Sequence, residues 1–428
     1  MTKPRAFEAL AEFPALDEAT VYAEGWQSWS PAGVYGVDGR SPRPPDELRR
    51  TMGWRSGKPE PERGIQAEGI LVLAGPDGAR AWFAPRPERE VASLRLERRG
   101  NRVVVSTDGL VEELRAASLD EALAELGVRL SAGTTRAVGP GWCSWSAYFG
   151  AVTEADVVEN LEVAEQLELP LEIVQVDDGY ETCVGDWLEQ RPSFGSLRRL
   201  ADRIAAVGRR PGIWTAPFLV GERSALAAAH PDWLVEDVDA GWNWQQRLRV
   251  LDVTHPAAAE HLQQVFRSLR DWGFAFHKLD FLYAGALDGR RHADVSPLEA
   301  YRVGLRLVRD AAGPDAILVG CGAPLLPSIG LVDAMRIGPD VLPESPHEQP
   351  DLARVMRATA ARAWMNRRLW LNDPDCLVAR PEIAEREDWA EHLAGYGGLA
   401  FSSDPLAALD ARGLALTRAL LSRRPARP

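Results

Sequence analysis

The chain has 428 residues, room for more than one domain at ~150 residues each, and its 46% hydrophobic and 26% charged side chains match an ordinary globular protein. Its 62 acidic and 49 basic residues leave a net charge of −13, which argues against a nucleic acid or an anionic membrane as partner and fits a neutral substrate better than a phosphorylated one. The same sign also serves plain solubility.

No stretch approaches the ~20 apolar residues that span a bilayer. The start, Met1 to Tyr22, has several acids and no apolar core of a secretory leader. Cys143, Cys183, Cys321 and Cys376 show neither a C-x-x-C nor a metal-ligand spacing. The expectation is a cytoplasmic protein with reduced thiols.

From Tyr22 to Thr107 the signals are short strands, at Ile70–Leu73, Ala81–Phe83 and Val103–Ser106, with turn chemistry at Gly75-Pro76-Asp77-Gly78 and Gly100-Asn101. They predict a small antiparallel, β-sandwich-like domain over residues 1–115. Ser118 and Glu121 have capping-box spacing, so residues 116–138 read as a linker helix ending near Leu130. Gly139-Pro140-Gly141 then breaks the chain.

Residues 139–428 alternate. Apolar runs fall at Trp142–Trp145, Leu171–Val176, Gly212–Ala216, Ala275–Leu279, Ala316–Gly320, Ala334–Ile337, Leu369–Leu371 and Leu399–Phe401. Amphipathic stretches lie between most of them. One starts at Thr153 and carries Val157, Leu161 and Ala164. Another runs from Pro256 to Trp272, with Thr254 placed to cap it and Leu262, Val265, Phe266 and Leu269 on one stripe. Eight runs with intervening helices predict an α/β fold, a (β/α)8 TIM barrel. A doubly wound sheet is the alternative, but no G-x-G-x-x-G follows an early strand.

Such barrels keep their active sites at the C-terminal strand ends. The residues there are Ser144 and Trp145, Asp177 and Asp178, Trp214, Asp280, Cys321, Asp340, Asp373 and Asp404. Turns and helix caps explain some of these acids. They do not explain Asp280, inside Phe276-His-Lys-Leu-Asp-Phe-Leu282, where a carboxylate among bulky apolar groups needs a partner. Lys278, two residues back, points to the same side of the strand. Asp280 and Asp340 can face each other across the mouth, as glycosidic cleavage requires of two carboxylates, and Arg336 stands one helical turn before Asp340. Asp177-Asp178 is either a hydroxyl-binding pair or a turn opening before Gly179. The fifteen tryptophans include three close pairs (Trp26 with Trp29, Trp142 with Trp145, Trp242 with Trp244), and sugars stack on such faces, although each alone serves a core equally well. The seven histidines form no H-E-x-x-H, no G-x-S-x-G elbow is present, and Cys321 reads by default as a small buried hydrophobe.

Read together, Gly25-Trp-Gln-Ser-Trp-Ser30, Gly141-Trp-Cys-Ser-Trp145, Gln175-Val-Asp-Asp-Gly179, Gly185-Asp-Trp-Leu188, Gly212-Ile-Trp-Thr-Ala-Pro217, Lys278-Leu-Asp-Phe281, Gly320-Cys-Gly322, Met335-Arg-Ile-Gly-Pro-Asp340 and Asn372-Asp-Pro-Asp375 run in an order that resembles the family 36 α-galactosidases, of the clan shared with family 27 and the raffinose synthases. The resemblance implies Asp280 as nucleophile and Asp340 as acid/base of a retaining double displacement. It implies Asp177 and Asp178 on the 4- and 6-hydroxyls of galactose, with Lys278, Trp214, Cys321, Gly322 and Arg336 on sugar-contacting positions. Trp26 or Trp29 would close the site from the N-terminal domain, and Trp187 would be a wall residue. Implied substrates are α-galactoside oligosaccharides of the raffinose or melibiose type, with no metal or cofactor; oligomeric state stays open. Two departures are expected: a short N-terminal domain, and no C-terminal β-domain before Pro428. Rival readings are a galactosyl transferase of the raffinose-synthase kind, a catalytically silent carbohydrate-binding protein, and a lyase or aldolase using Lys278.

Overall fold

The computed structural model describes residues 6–14, 18–44, 50–133, 135–341 and 351–423. Met1 and Pro428, the outer limits of the expected domains, lie outside them.

The N-terminal region forms two antiparallel sheets. One carries Glu8–Pro14, Arg102–Thr107, Ser93–Arg99 and Ile65–Glu68 in that spatial order. The other carries Gly33–Gly36, Thr20–Ala23, Ile70–Gly75, Gly78–Phe83 and Glu112–Ala116. The two expected turns are two-residue hairpin loops, at Pro76-Asp77 and Gly100-Asn101. Strand alternation splits the apolar residues between two cores. Val21, Leu71 and Trp82 face Leu94, Leu96, Val103 and Val105 across the sandwich. Tyr22, Ile70, Val72, Ala81 and Phe83 face the other way, where Ala122, Leu123 and Leu126 of the helix Leu119–Leu130 cover them. This helix therefore packs on the sheet as well as leading out of it. Its capping box is half formed: Ser118 Oγ accepts from Glu121 N at 3.2 Å, but the Glu121 carboxylate turns to Ala117 N.

The remaining strands form one parallel sheet. In chain order they are Gly141–Cys143, Ile173–Val176, Arg210–Thr215, Phe276–Leu279, Ile317–Gly320, Ala334–Arg336, Leu371–Asp373 and Phe401–Ser402. Each pairs with its predecessor up to the seventh, and the eighth pairs with the first, which is barrel order. The seam between seventh and eighth carries no ladder; Leu399 N–H donates to Asn372 O across it at 2.8 Å. Inside, Ile173, Phe276, Ile317, Val319, Ala334, Leu371 and Phe401 fill the lower layers. Alternate residues such as Val174, Ile213 and Leu318 face the helices.

Several expected boundaries move. The first strand ends at Cys143, and Trp145 opens a short helix, Trp145–Tyr148. The seventh and eighth strands start two residues later than expected; before the seventh, Leu369 and Trp370 close a tight turn through Arg367 N–H to Trp370 O, 2.7 Å. Thr254 does not cap the helix Pro256–Asp271: His255 holds the cap position without a side-chain bond, and Thr254 Oγ1 instead donates to Asp252 at 2.6 Å.

His277, fully buried on the helix side of the fourth strand beside Phe266, is pushed down to about 4 by burial. Its unfolded value is near 6.5, so the unfolded chain binds the extra proton as pH falls. The stability His277 contributes is full above ~6.5 and is lost as pH falls toward 4, up to about 3 kcal/mol. His277→Leu, which does not titrate, should flatten that part of the pH dependence of urea midpoints between pH 7 and 4.5.

Candidate active site

The fourth strand sets the centre. Phe276, Lys278 and Asp280 point inward in turn, placing an ammonium and a carboxylate above the apolar layer. Lys278 Nζ lies 2.9 Å from Asp177 Oδ2 and 3.8 Å from Asp280 Oδ2. Burial alone would depress the Lys278 ammonium, but Asp177 and Asp280 outweigh it and hold it well above the ordinary lysine value. Lys278 is thus a fixed cation, unsuited to Schiff-base chemistry, which needs a neutral amine.

Asp280 accepts from Trp214 Nε1 at 3.0 Å and from Phe281 N at 2.8 Å. Burial pushes its carboxyl up; Lys278 pulls it down and Asp340 pushes it up again. Phe281 pays for this turn with a left-handed backbone, φ 49°. Gly322 (φ 53°) answers it: a Cβ there would lie 2.9 Å from Trp29 and 3.1 Å from the Phe281 backbone. Cys321 is fully buried behind Asp280, and burial pushes its thiol well up, so it is no nucleophile.

Arg336, from the sixth strand, is buried among three carboxylates. Its guanidinium reaches Asp340 Oδ1 at 2.7 Å, Asp373 Oδ2 at 3.2 Å and Asp375 Oδ1 at 2.9 Å. Asp375 has φ 89° and also accepts from Val341 N at 2.7 Å, so it braces both Arg336 and the chain just after Asp340. Burial pushes Asp375 up to about 6 despite Arg336. Asp340 Oδ2 accepts from Trp145 Nε1 at 3.2 Å, and its side chain stays 35% exposed against 8% for Asp280. Two carboxylates at one mouth thus sit in unlike surroundings.

Asp177 Oδ2 is filled by Lys278, Gln175 Nε2 (2.6 Å) and Cys143 Sγ (3.3 Å). Asp178 differs. Trp244 Nε1 donates to its Oδ2 at 2.8 Å, while Oδ1 is buried with no amide, indole or ammonium donor among the described residues. Glu181 lies beside it, also buried. Burial pushes both carboxyls up, and the charge of Asp178 drives Glu181 further.

Trp29 and Trp26 part company. Trp29 stands 5.0 Å from the Phe281 ring and against Gly322, with its indole N–H buried and unpartnered. Trp26 lies under the Arg55 guanidinium, 4.4 Å away, within the β-domain. Trp187 backs Trp214 edge-on at 5.6 Å. Asp404, another strand-end acid, is taken up by Ala379 N and Arg380. Among the described residues no group of three or more His, Cys, Asp or Glu is arranged to hold a metal ion, and no helix is long and apolar enough to cross a membrane.

A family model described as Melibiase matches residues 143–281, from the first strand through Asp280. The solved α-galactosidase of Thermus thermophilus, in complex with p-nitrophenyl α-D-galactopyranoside, is 30% identical to this chain, covers 98% of it and 90% of its own length, and superposes with a TM-score of 0.81. The chain belongs to the α-galactosidases, a family of glycoside hydrolases. The α-galactosidase of Geobacillus stearothermophilus shares the fold at 14% identity, over 96% of this chain and 61% of that one (TM-score 0.65). Among curated relatives, the bifunctional α-galactosidase/sucrose kinase of Mediterraneibacter gnavus is 32% identical over 100 residues, 22% of this chain and 10% of that protein. The first curated relatives are matched over only 10%, 17% and 19% of their lengths.

In this α-galactosidase fold, sequence reading missed Trp244, Gln175, Glu181 and the bracing role of Asp375. Gln175 had a signal, its i, i+2 relation to Asp177 on one strand face. Trp244 had only its pairing with Trp242.

Any reaction that needs the Asp280 carboxylate ionised should show an acid limb above the ordinary ~3.9. Because Lys278 pulls that value down, Lys278→Met should move the limb of kcat/KM to higher pH, at reduced rate. A limb that stays put in the pH–rate profile would detach Asp280 from it.

Proposed function

We propose that this protein is a family 36 α-galactosidase that removes terminal α-linked galactose from raffinose- or melibiose-type oligosaccharides by a retaining double displacement. The carrying observation is the pair of unlike carboxylates: dry Asp280, held by Trp214 and Lys278, and half-open Asp340, held by Arg336 and Trp145. A buried, fixed carboxylate suits attack on the anomeric carbon. One at the rim, reached by solvent, suits proton transfer to the leaving oxygen and then from water. Lys278 and Arg336 keep the buried cluster of acids compensated.

In this reading Asp178 Oδ1 is the acceptor for a galactose hydroxyl, since Asp177 is already filled, and the buried indole N–H of Trp29 is a donor for the sugar. Trp214, Trp244 and Phe281 supply the aromatic wall. The solved relative's complexes with p-nitrophenyl galactoside and stachyose favour the same substrate class here. The four unpaired cysteines suit a reducing compartment such as the cytoplasm.

Azide separates the two roles. Asp280→Gly opens the face opposite the leaving group, so azide should rescue turnover of p-nitrophenyl α-galactoside and give the β-azide. Asp340→Gly leaves the nucleophile in place, so the galactosylated enzyme should yield the α-azide. Proton NMR of the products reads the anomers. Swapped anomers reverse the assignment, and full activity in either variant removes that residue from the mechanism.

A further inference from the structure

Between the third and fourth barrel strands the chain makes an excursion, a three-stranded antiparallel sheet of Leu219–Gly221, Gln246–Val250 and Trp242–Asn243. Asn243 pairs with Gln246, so Trp244 and Gln245 are the whole turn. Both are left-handed, with φ 47° and 57°. A two-residue turn of this kind is normally given to Asn-Gly or Gly-Gly. A tryptophan there is strained, and such strain persists only where the surroundings over-determine it.

The surroundings do so here. Asn243 Oδ1 accepts from Trp244 N at 2.7 Å, Arg223 donates to Trp244 O at 2.9 Å, and the Arg223 amide donates to Gln246 Oε1 at 3.0 Å. Gly221 leaves the room: a Cβ on it would lie 2.6 Å from the Gln246 amide. What the strained turn delivers is one indole. Its ring stands 5.0 Å from Phe281 and 6.1 Å from Trp214, and its N–H meets Asp178 Oδ2. It is the one nitrogen donor among the described residues on the Asp178 carboxylate.

We propose that Trp244 is a positioning residue for sugar selection. It pins one oxygen of Asp178 so that the other is presented to a single substrate hydroxyl, and the 242–250 hairpin is thereby a specificity element of the site. The inference rests on the galactosidase reading and adds to it a residue outside the barrel strands. Without the indole N–H, the Asp178 carboxylate loses its nitrogen donor and keeps only Glu181 beside it, so its acceptor is held less firmly in place.

Trp244→Phe keeps a ring against Phe281 and Trp214 and deletes only the donor. The test measures kcat/KM of wild type and variant on p-nitrophenyl α-D-galactopyranoside and on its 4-deoxy and 6-deoxy analogues. A hydrogen bond to a charged group is worth ~10- to 100-fold, so the variant should lose about that on the full substrate. On the analogue lacking the hydroxyl that Asp178 holds, it should lose much less, because the interaction it disturbs is already gone. A second variant, Asp178→Asn with Trp244→Phe, should be little worse than Asp178→Asn alone. Equal losses on all three substrates, with additive losses in the double variant, would show a merely structural role and overturn the proposal. Wild type inert on every galactoside would instead overturn the galactosidase reading beneath it.

Discussion

Arg362 and Glu24 are both fully buried, 2.7 Å apart, and join the two halves of the molecule. The guanidinium also donates to the carbonyls of Gln27, Ser28 and Ser30 on one side and of Ile337 on the other. The first three belong to the loop that carries Trp29; the last lies just before Gly338-Pro339-Asp340. A buried pair of this kind repays its desolvation only when its geometry is complete. Here every contact fixes a distance between the β-domain loop and the Asp340 loop. Trp29 and Asp340, far apart in the chain, reach the same mouth with Arg362 bonded to both of their loops, and the Trp29 loop is also tied to the barrel by Ser28 N–H to Ala323 O and Leu325 N–H to Trp26 O.

The same logic runs inward. The mouth contains Asp177, Asp178, Asp280, Asp340, Asp373 and Asp375 within a few strand ends, a charge density no apolar barrel tolerates alone. Lys278 compensates the second and fourth strands, and Arg336 the sixth and seventh. The cations hold the acids in place and, by doing so unevenly, make them unlike. Asp280 is enclosed by indole and backbone donors, while Asp340 keeps one side open. Pairs of carboxylates with divergent surroundings are how glycosidases divide attack from proton transfer.

Much of this was legible in the sequence. The eight apolar runs located the barrel because strands buried on both faces read as continuous apolar segments. Lys278 and Asp280 declared themselves as charges inside such a run. The seventh strand starts two residues later than its apolar run because Leu369 and Trp370 are as apolar as a strand but serve a turn. Trp26 and Trp29 could not be told apart, since both are large aromatics of one motif and only long-range contacts, those of Arg362 and the backbone bonds of Ser28 and Trp26 to Ala323 and Leu325, turn Trp29 toward Gly322. Trp244 escaped notice because its turn violates local preference. A Trp-Gln pair carries no turn signature, and its position is dictated by Asp178, more than sixty residues away. Asp375 likewise has a left-handed backbone that its residue type does not announce.

Covalent attack by Asp280 is the step of the proposed double displacement most open to a direct test. A fluorinated α-galactosyl donor, which galactosylates such an enzyme faster than water releases it, should leave one sugar on the intact protein by mass spectrometry. Peptide mapping should then place that sugar on Asp280. A sugar on any other residue, or normal turnover of galactosides with no trapped adduct, would contradict it.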